Sequence, residues 1–305
     1  MTIQHTYSYA ATLQDSLKIN WRVEDLIGEG KTLDFSRPFL PNSLARTKEA
    51  PGLNAREKLI LNHIRGATYL YLFGLVEEFI LPFAIERARD GAHGPKDRTR
   101  ALLAFAEEEA KHQQLFARFS EEFRKGFSTD IEFIGPPRAI ADAVLAHSPL
   151  SVAVLILHLE WLTQRHYVEG IKADEGLDQH FVSLLKHHFQ EEAQHAKIDT
   201  LVLAELASTA SRAEIEQAFS EFLEIGQLLD GGLAQQVKFD AVALQKASGR
   251  RLSEPEIAEL EASQLKSYRY TFLVSGLEQE NFVRTIRELS PEGSARVRET
   301  ALALS

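Results

Sequence analysis

The chain has 305 residues, a formal net charge of −10 and no cysteine, and its only methionine is Met1. The lack of thiols excludes disulfides, thiolate metal sites, cysteine nucleophiles and cysteine-held iron–sulfur clusters, and the acidic balance argues against a nucleic-acid partner. Any bound metal must be held by the 11 histidines and the 44 aspartates and glutamates.

Residues 1–53 carry many turn formers, among them Gly28-Glu29-Gly30, Pro38, Pro41 and Pro51-Gly52. They read as an arm with one short helix, wrapped over a larger body. The first twenty residues lack a basic region followed by an apolar run, so no signal peptide is expected. No uninterrupted apolar stretch approaches the roughly 18 residues of a membrane helix. A cytoplasmic protein with no membrane partner is the expectation.

Asn54 and Glu57 form a capping box that opens a long helix reaching Asp90, and Gly91 and Gly94-Pro95 break it. Asp97 is the expected cap of a second helix reaching Lys125. Gly135-Pro136-Pro137 marks a break before a short helix. Ser148-Pro149 then opens a third long helix to Ala173, ended by Gly176. Asp178 caps a fourth, to Ser208. Two more segments start at capping boxes, Ser211/Glu214 with a bend expected at Gly231-Gly232, and Ser253/Glu256 with Pro255 in its first turn. No convincing strand is visible. The fold class is all-α: an arm (1–53), a four-helix bundle (54–208) and C-terminal helices (209–305) in the same structural unit.

The second and fourth helices each carry Glu-x-x-His, as Glu109/His112 and Glu192/His195, at a common offset of 83 residues. The first and third carry candidate acids, Glu78 and Glu160, at an offset of 82. Residues three apart share a helix face, so each Glu/His pair can meet one metal. One Glu from each of two helices plus Glu-x-x-His from each of the other two is the ligand set of ferritin-like carboxylate bundles. Four carboxylates also balance two divalent cations, which removes the penalty of burying them unpaired.

Helical projection at about 100° per residue chooses among neighbouring acids. Lys58, Asn62, Arg65 and Arg87 cluster on one side of the first helix, which puts Glu78 inward and Glu77 on the flank. On the third helix Glu160 opposes the wet face of Arg165, Glu169 and Lys172. On the second, Glu109 and His112 oppose Arg100, Glu107, Lys111 and Arg118, which leaves Glu107 and Glu108 as surface acids or outer partners. The fourth helix adds His188, one turn before Glu192, where the first repeat has Phe105. Asp199 follows His195 by one turn and is placed to accept its imidazole N–H. Tyr71 and Tyr167 share faces with the candidate acids, and both they and Tyr268-Arg269-Tyr270 read as packing residues.

These positions resemble the ferritin-like di-iron N-oxygenases, the p-aminobenzoate N-oxygenase (AurF-like) family, over residues 58–205. The matching residues are Glu78, Glu109, His112, Glu160, His188, Glu192 and His195. The resemblance implies two iron ions that activate dioxygen and oxidise an arylamine. From the donors themselves, hard oxygen and borderline nitrogen suit Fe/Fe or Mn/Fe. The expected partners are a small-molecule substrate and an electron donor or reductase, because no Gly-rich nucleotide motif is present. Hydroxylation, desaturation, oxidative cleavage, and a storage or peroxide-scavenging bundle stay open as alternatives. The last hundred residues could equally form a homodimer interface or cover the pocket.

Overall fold

Capping chemistry sets the start of most long helices. The computed structural model describes residues 3–28 and 30–305, all helical or irregular, so Met1, Thr2 and the central Glu29 of the Gly28-Glu29-Gly30 turn lie outside it. The arm holds three short helices instead of one: α1 (Tyr9–Ser16), α2 (Val23–Leu26) and α3 (Asn42–Ala45). The capping box of Asn54 and Glu57 opens α4 (Ala55–Asp90). The next helix, α5 (Lys96–Gly126), begins one residue before Asp97, which is therefore not its cap. Asp97 lies in the first turn, where its charge still favours the helix N-terminus.

The short α6 (Pro137–Leu145) precedes α7 (Pro149–Arg165), and α7 widens into a π-helical segment, His166–Ile171. Asp178 caps α8 (Gln179–Thr209) by accepting from the Phe181 N–H at 2.6 Å. Its other oxygen accepts from the Asp34 N–H at 2.9 Å and so ties the arm to the bundle. The capping box of Ser211 and Glu214 opens α9 (Arg212–Ser248), which runs unbroken through Gly231-Gly232. It ends at Gly249, whose φ of 73° suits a residue without Cβ. The remaining elements are α10 (Glu254–Arg269), a second π-helical segment (Tyr270–Val274), α11 (Ser275–Leu277), α12 (Glu280–Leu289) and α13 (Pro291–Leu304).

Two antiparallel hairpins, α4–α5 and α7–α8, are joined by one long crossover that carries α6. That connectivity is the one of ferritin-like bundles. The arm packs α1 against α5 and α8, and α9 packs against α4 and α7. Both apolar cores mix bundle residues with C-terminal ones, for example Leu61 with Leu260 and Phe79 with Phe282.

The polar stripe on the first half of α4 is buried. Asn62 accepts from the Phe39 and Leu40 N–H groups (2.7 and 3.1 Å) and donates to the Leu40 carbonyl. Arg65, 1% exposed, donates to Ser267 Oγ and lies 3.3 Å above the Tyr268 ring. At Gly66 a Cβ would meet Phe39 Cβ at 2.9 Å, so the arm needs glycine there. The arm and α10 thus cover the side that its polar residues would otherwise assign to water. α4 also contains an 18-residue window apolar enough to cross a membrane, and 67% of that window is packed inside the protein.

Candidate metal centre

The two Glu-x-x-His pairs sit at mid-helix on α5 and α8 with no access to water: Glu109, His112, Glu192 and His195 are each at most 4% exposed. One donor atom from each of the four lies within 4.8 Å of the others. His188 joins them, with Nε2 3.1 Å from Glu192 Oε1 and 3.5 Å from Glu77 Oε1. Glu77 also lies 3.7 Å from His112 Nδ1. Glu160, buried on α7, lies against Glu192 and completes the set.

Glu78 is not among them. It is exposed on the outer side of α4 near Ile85, while Glu77 is 2% exposed and points into the cluster. The projection fails because Asn62 and Arg65 are polar residues buried under the arm and α10, so they mark the wrong side as wet. A sharper signal was present: Glu77 and Glu160 are 83 residues apart, the period that also relates 109 to 192 and 112 to 195.

The same period identifies two further residues. Glu108 and Glu191, each just before a cluster glutamate, are equivalent and buried. They cross between the hairpins: His112 Nε2–H donates to Glu191 Oε2 at 2.9 Å, and His195 Nε2–H donates to Glu108 Oε2 at 2.8 Å. An acceptor on Nε2 draws the ring proton there and leaves the Nδ1 lone pair facing the cluster. Asp199, expected to accept from His195, does not: that proton is taken by Glu108, and Asp199 Oδ2 is buried without a partner. Burial pushes the Asp199 carboxyl well above its usual range.

The arm reinforces these outer carboxylates. Ser16 at the end of α1 donates to Glu108 Oε1. Lys111 donates to Glu191 and sits 4.2 Å above the Trp21 ring, which itself stacks on His112 at 6.1 Å. Despite burial, His195 and Ser16 hold Glu108 below the ordinary carboxylate range.

The electrostatics describe a set of groups that compete for protons. Burial, with Glu109 nearby, raises Glu77 to about 8 and lifts Glu160 well above its usual range. Glu192 is held well below despite burial, because His188 and His195 face it and Glu160 bonds to it. Burial alone would keep His112 neutral, but Glu191 and Glu192 outweigh it and raise the ring to about 10. His195 is lifted in the same way.

The residues present fit two metal ions. Glu77 Oε2, both Glu109 oxygens, His112 Nδ1, Glu160 Oε2, Glu192 Oε1 and His195 Nδ1 are buried with no hydrogen-bond partner. At 2.9 Å, His195 Nδ1 and Glu109 Oε1 are aimed at a common point, which a proton occupies in the metal-free protein and a cation would take over. Orphaned buried acceptors are costly, and cations between them remove that cost. Tyr71 and Tyr167 lie apart from the cluster as packing residues, stacked at 4.3 Å on Phe133 and on Phe189.

No protein-family model matches the chain, and no curated protein matches it in sequence. Among solved structures it is similar to variants of R2-like ligand-binding oxidase. One with an anaerobically reconstituted Mn/Fe cofactor is 13% identical, with a TM-score of 0.47, covering 88% of this chain and 93% of that one. Another Mn/Fe form is 15% identical, with a TM-score of 0.45, covering 88% and 92%. A form aerobically reconstituted with Fe/Fe is 14% identical, with a TM-score of 0.43, covering 87% and 93%.

Proposed function

We propose that the chain is an oxygen-dependent, non-haem dimetal oxidoreductase. Glu77, Glu109, His112, Glu160, His188, Glu192 and His195 would hold the ions, Fe/Fe by preference or Mn/Fe. The observation that carries this reading is the convergence of carboxylate oxygens and histidine Nδ1 atoms, none with a hydrogen-bond partner, in a dry bundle core. Such an ion pair supplies reductive activation of dioxygen. The chain's own residues do the rest. Glu108 and Glu191 hold the ring protons of His195 and His112 on Nε2, so both rings stay oriented. Trp21 and α1 keep water from the α5–α8 side. Electrons come from a separate donor. Arylamine N-oxygenation is the narrower reading, supported only by the ligand order from His188 to His195.

The test is anaerobic loading of metal-free protein with Fe(II), followed by admission of O₂. About two irons per chain and ligand-to-metal charge-transfer bands are expected. A protein that never binds two ions overturns the proposal. Aminoarenes tested as substrates then decide the narrower reading by their N-oxidised products.

A further inference from the structure

α4 and α7 supply Glu77 and Glu160, and the space between these helices is not filled by protein. A cavity of about 610 Å³ lies there, walled by Leu75, Val76 and Phe79 of α4 and by Leu155 and Leu159 of α7. Val76 and Leu159 are the sequence neighbours of the two glutamates. α6 and α9 roof it, and Leu228 at its edge is 62% exposed, an apolar side chain that the protein alone does not cover. The volume is that of a pocket for one small organic molecule.

The mouth is a built structure. Its loop, residues 132–134, is tied down from two sides. Fully buried Gln236 accepts from the Ile134 N–H (3.0 Å) and donates to the Glu132 carbonyl (3.0 Å). It also donates to Asp240 at 2.9 Å, and Tyr71 donates to the Ile134 carbonyl. Among the described residues, the polar side chains that line the cavity are those of Glu132, His147 and Gln235. His147 commits Nδ1–H to the Ala143 and Val144 carbonyls (3.0 and 3.2 Å), which leaves Nε2 as an acceptor. No lysine or arginine lines the cavity.

We infer that this cavity binds an elongated apolar molecule with one hydrogen-bond-donating end, an amine or an alcohol, held at the mouth by Glu132 and His147. Its hydrocarbon end lies between α4 and α7, toward Glu77 and Glu160. A carboxylate end is disfavoured, because Glu132 would repel it and no cation is there to pair with it. The orientation keeps an amine away from the metal-ligating side, which separates this ligand from a substrate of N-oxygenation. The inference takes the substrate role of the cavity from the dimetal reading, but ligand binding itself does not require the metals.

The test is calorimetric titration of the full chain, with and without loaded iron, using decylamine, 1-decanol and decanoate. Decylamine should bind several-fold more tightly than 1-decanol through its charge opposite Glu132, and decanoate about tenfold more weakly than decylamine or not at all. Glu132→Gln should remove the preference for decylamine over decanol. Ala143→Trp, which fills the cavity from an exposed position on α6, should weaken both ligands about tenfold while circular dichroism and metal content stay unchanged. Equal or tighter decanoate binding, no binding of any of the three, or binding indifferent to Ala143→Trp overturns the inference. Ligand binding without metal uptake would overturn the dimetal reading alone, and two ions taken up without ligand binding would overturn this one alone.

Discussion

The two hairpins of the bundle are related by an 83-residue repeat, and they differ at a few places that matter. Shared between them are Glu77 and Glu160, Glu108 and Glu191, Glu109 and Glu192, and His112 and His195. The first break is at 105 and 188. In the α7–α8 hairpin this position is His188, in contact with Glu192 and Glu77, and in the α4–α5 hairpin it is Phe105, packed at 4.3 Å on His195. The second is at 111 and 194. Lys111 neutralises Glu191, whereas Gln194 stands in the equivalent place and Glu108 receives the Ser16 hydroxyl from the arm instead. Symmetry thus relates four carboxylates and two histidines at the cluster, and its first break adds a third imidazole, His188, beside Glu192 and Glu77.

Experiments can attack this comparison in order of effect. Glu192→Ala should be the most severe, since Glu192 Oε1 lies 3.1–3.3 Å from nitrogens of His188, His112 and His195. Metal content by elemental analysis should fall from two ions toward none. Next, Glu77→Gln should lose one ion while Glu78→Gln keeps both. The reverse result would restore the assignment read from the helical projection. His188→Phe copies the Phe105 position into the second hairpin and should leave one ion bound with a changed charge-transfer spectrum. Unaltered stoichiometry and spectrum would remove His188 from the ligand set.

Smaller effects are expected from the outer carboxylates. Glu108→Gln and Glu191→Gln should each weaken metal binding by about 10–100-fold, and Lys111→Gln, which imitates Gln194, should cost less than either. Equal behaviour of Lys111→Gln and wild type in competition with a chelator would mean that the second break has no consequence.

The mildest test uses pH. In the metal-free protein Glu77 is raised from 4.5 to about 8 and His112 from 6.5 to about 10. At these two groups the folded chain therefore binds more protons than the unfolded one. His158 and His166, held neutral by burial, act the opposite way only below their unfolded value of 6.5. The stability Glu77 and His112 contribute is complete below the unfolded values and is lost as pH rises through the folded ones. The Tm of metal-free protein should fall between about pH 7 and pH 10, above the range in which the buried neutral histidines act in the opposite direction. Loaded protein should show a flatter profile, because ions replace the protons. A flat profile for the metal-free protein would contradict the proposed proton inventory.

Much of this is legible in the amino-acid sequence alone. Capping boxes at Asn54, Ser211 and Ser253 act within a single turn, so local sequence determines them. The spacing of Glu109 with His112 and of Glu192 with His195 gives each pair a shared face for the same reason. What was not legible depended on distant packing. Glu77 was displaced by Glu78 because Asn62 and Arg65 read as solvent-facing, and only the arm and α10 reveal that they are covered. Local spacing points His195 to Asp199, one turn away, whereas its acceptor lies on the other hairpin at Glu108. Ser16 and Trp21 carry no local mark of their roles, because those arise only when the arm folds back over α5 and α8.

The crossed pairs of imidazole and carboxylate have a kinetic meaning as well. They join residues 79 and 87 positions apart, His112 with Glu191 and His195 with Glu108. Neither hairpin supplies the acceptor for its own histidine, so the pairing and the burial of each imidazole arise together when the two halves meet. Contacts of such separation form after the local helical turns, once loop-closure entropy has been overcome. The metal-binding geometry is therefore a late product of folding, assembled when the two hairpins dock. Substitutions at Glu108 or Glu191 should accelerate unfolding more than they slow folding.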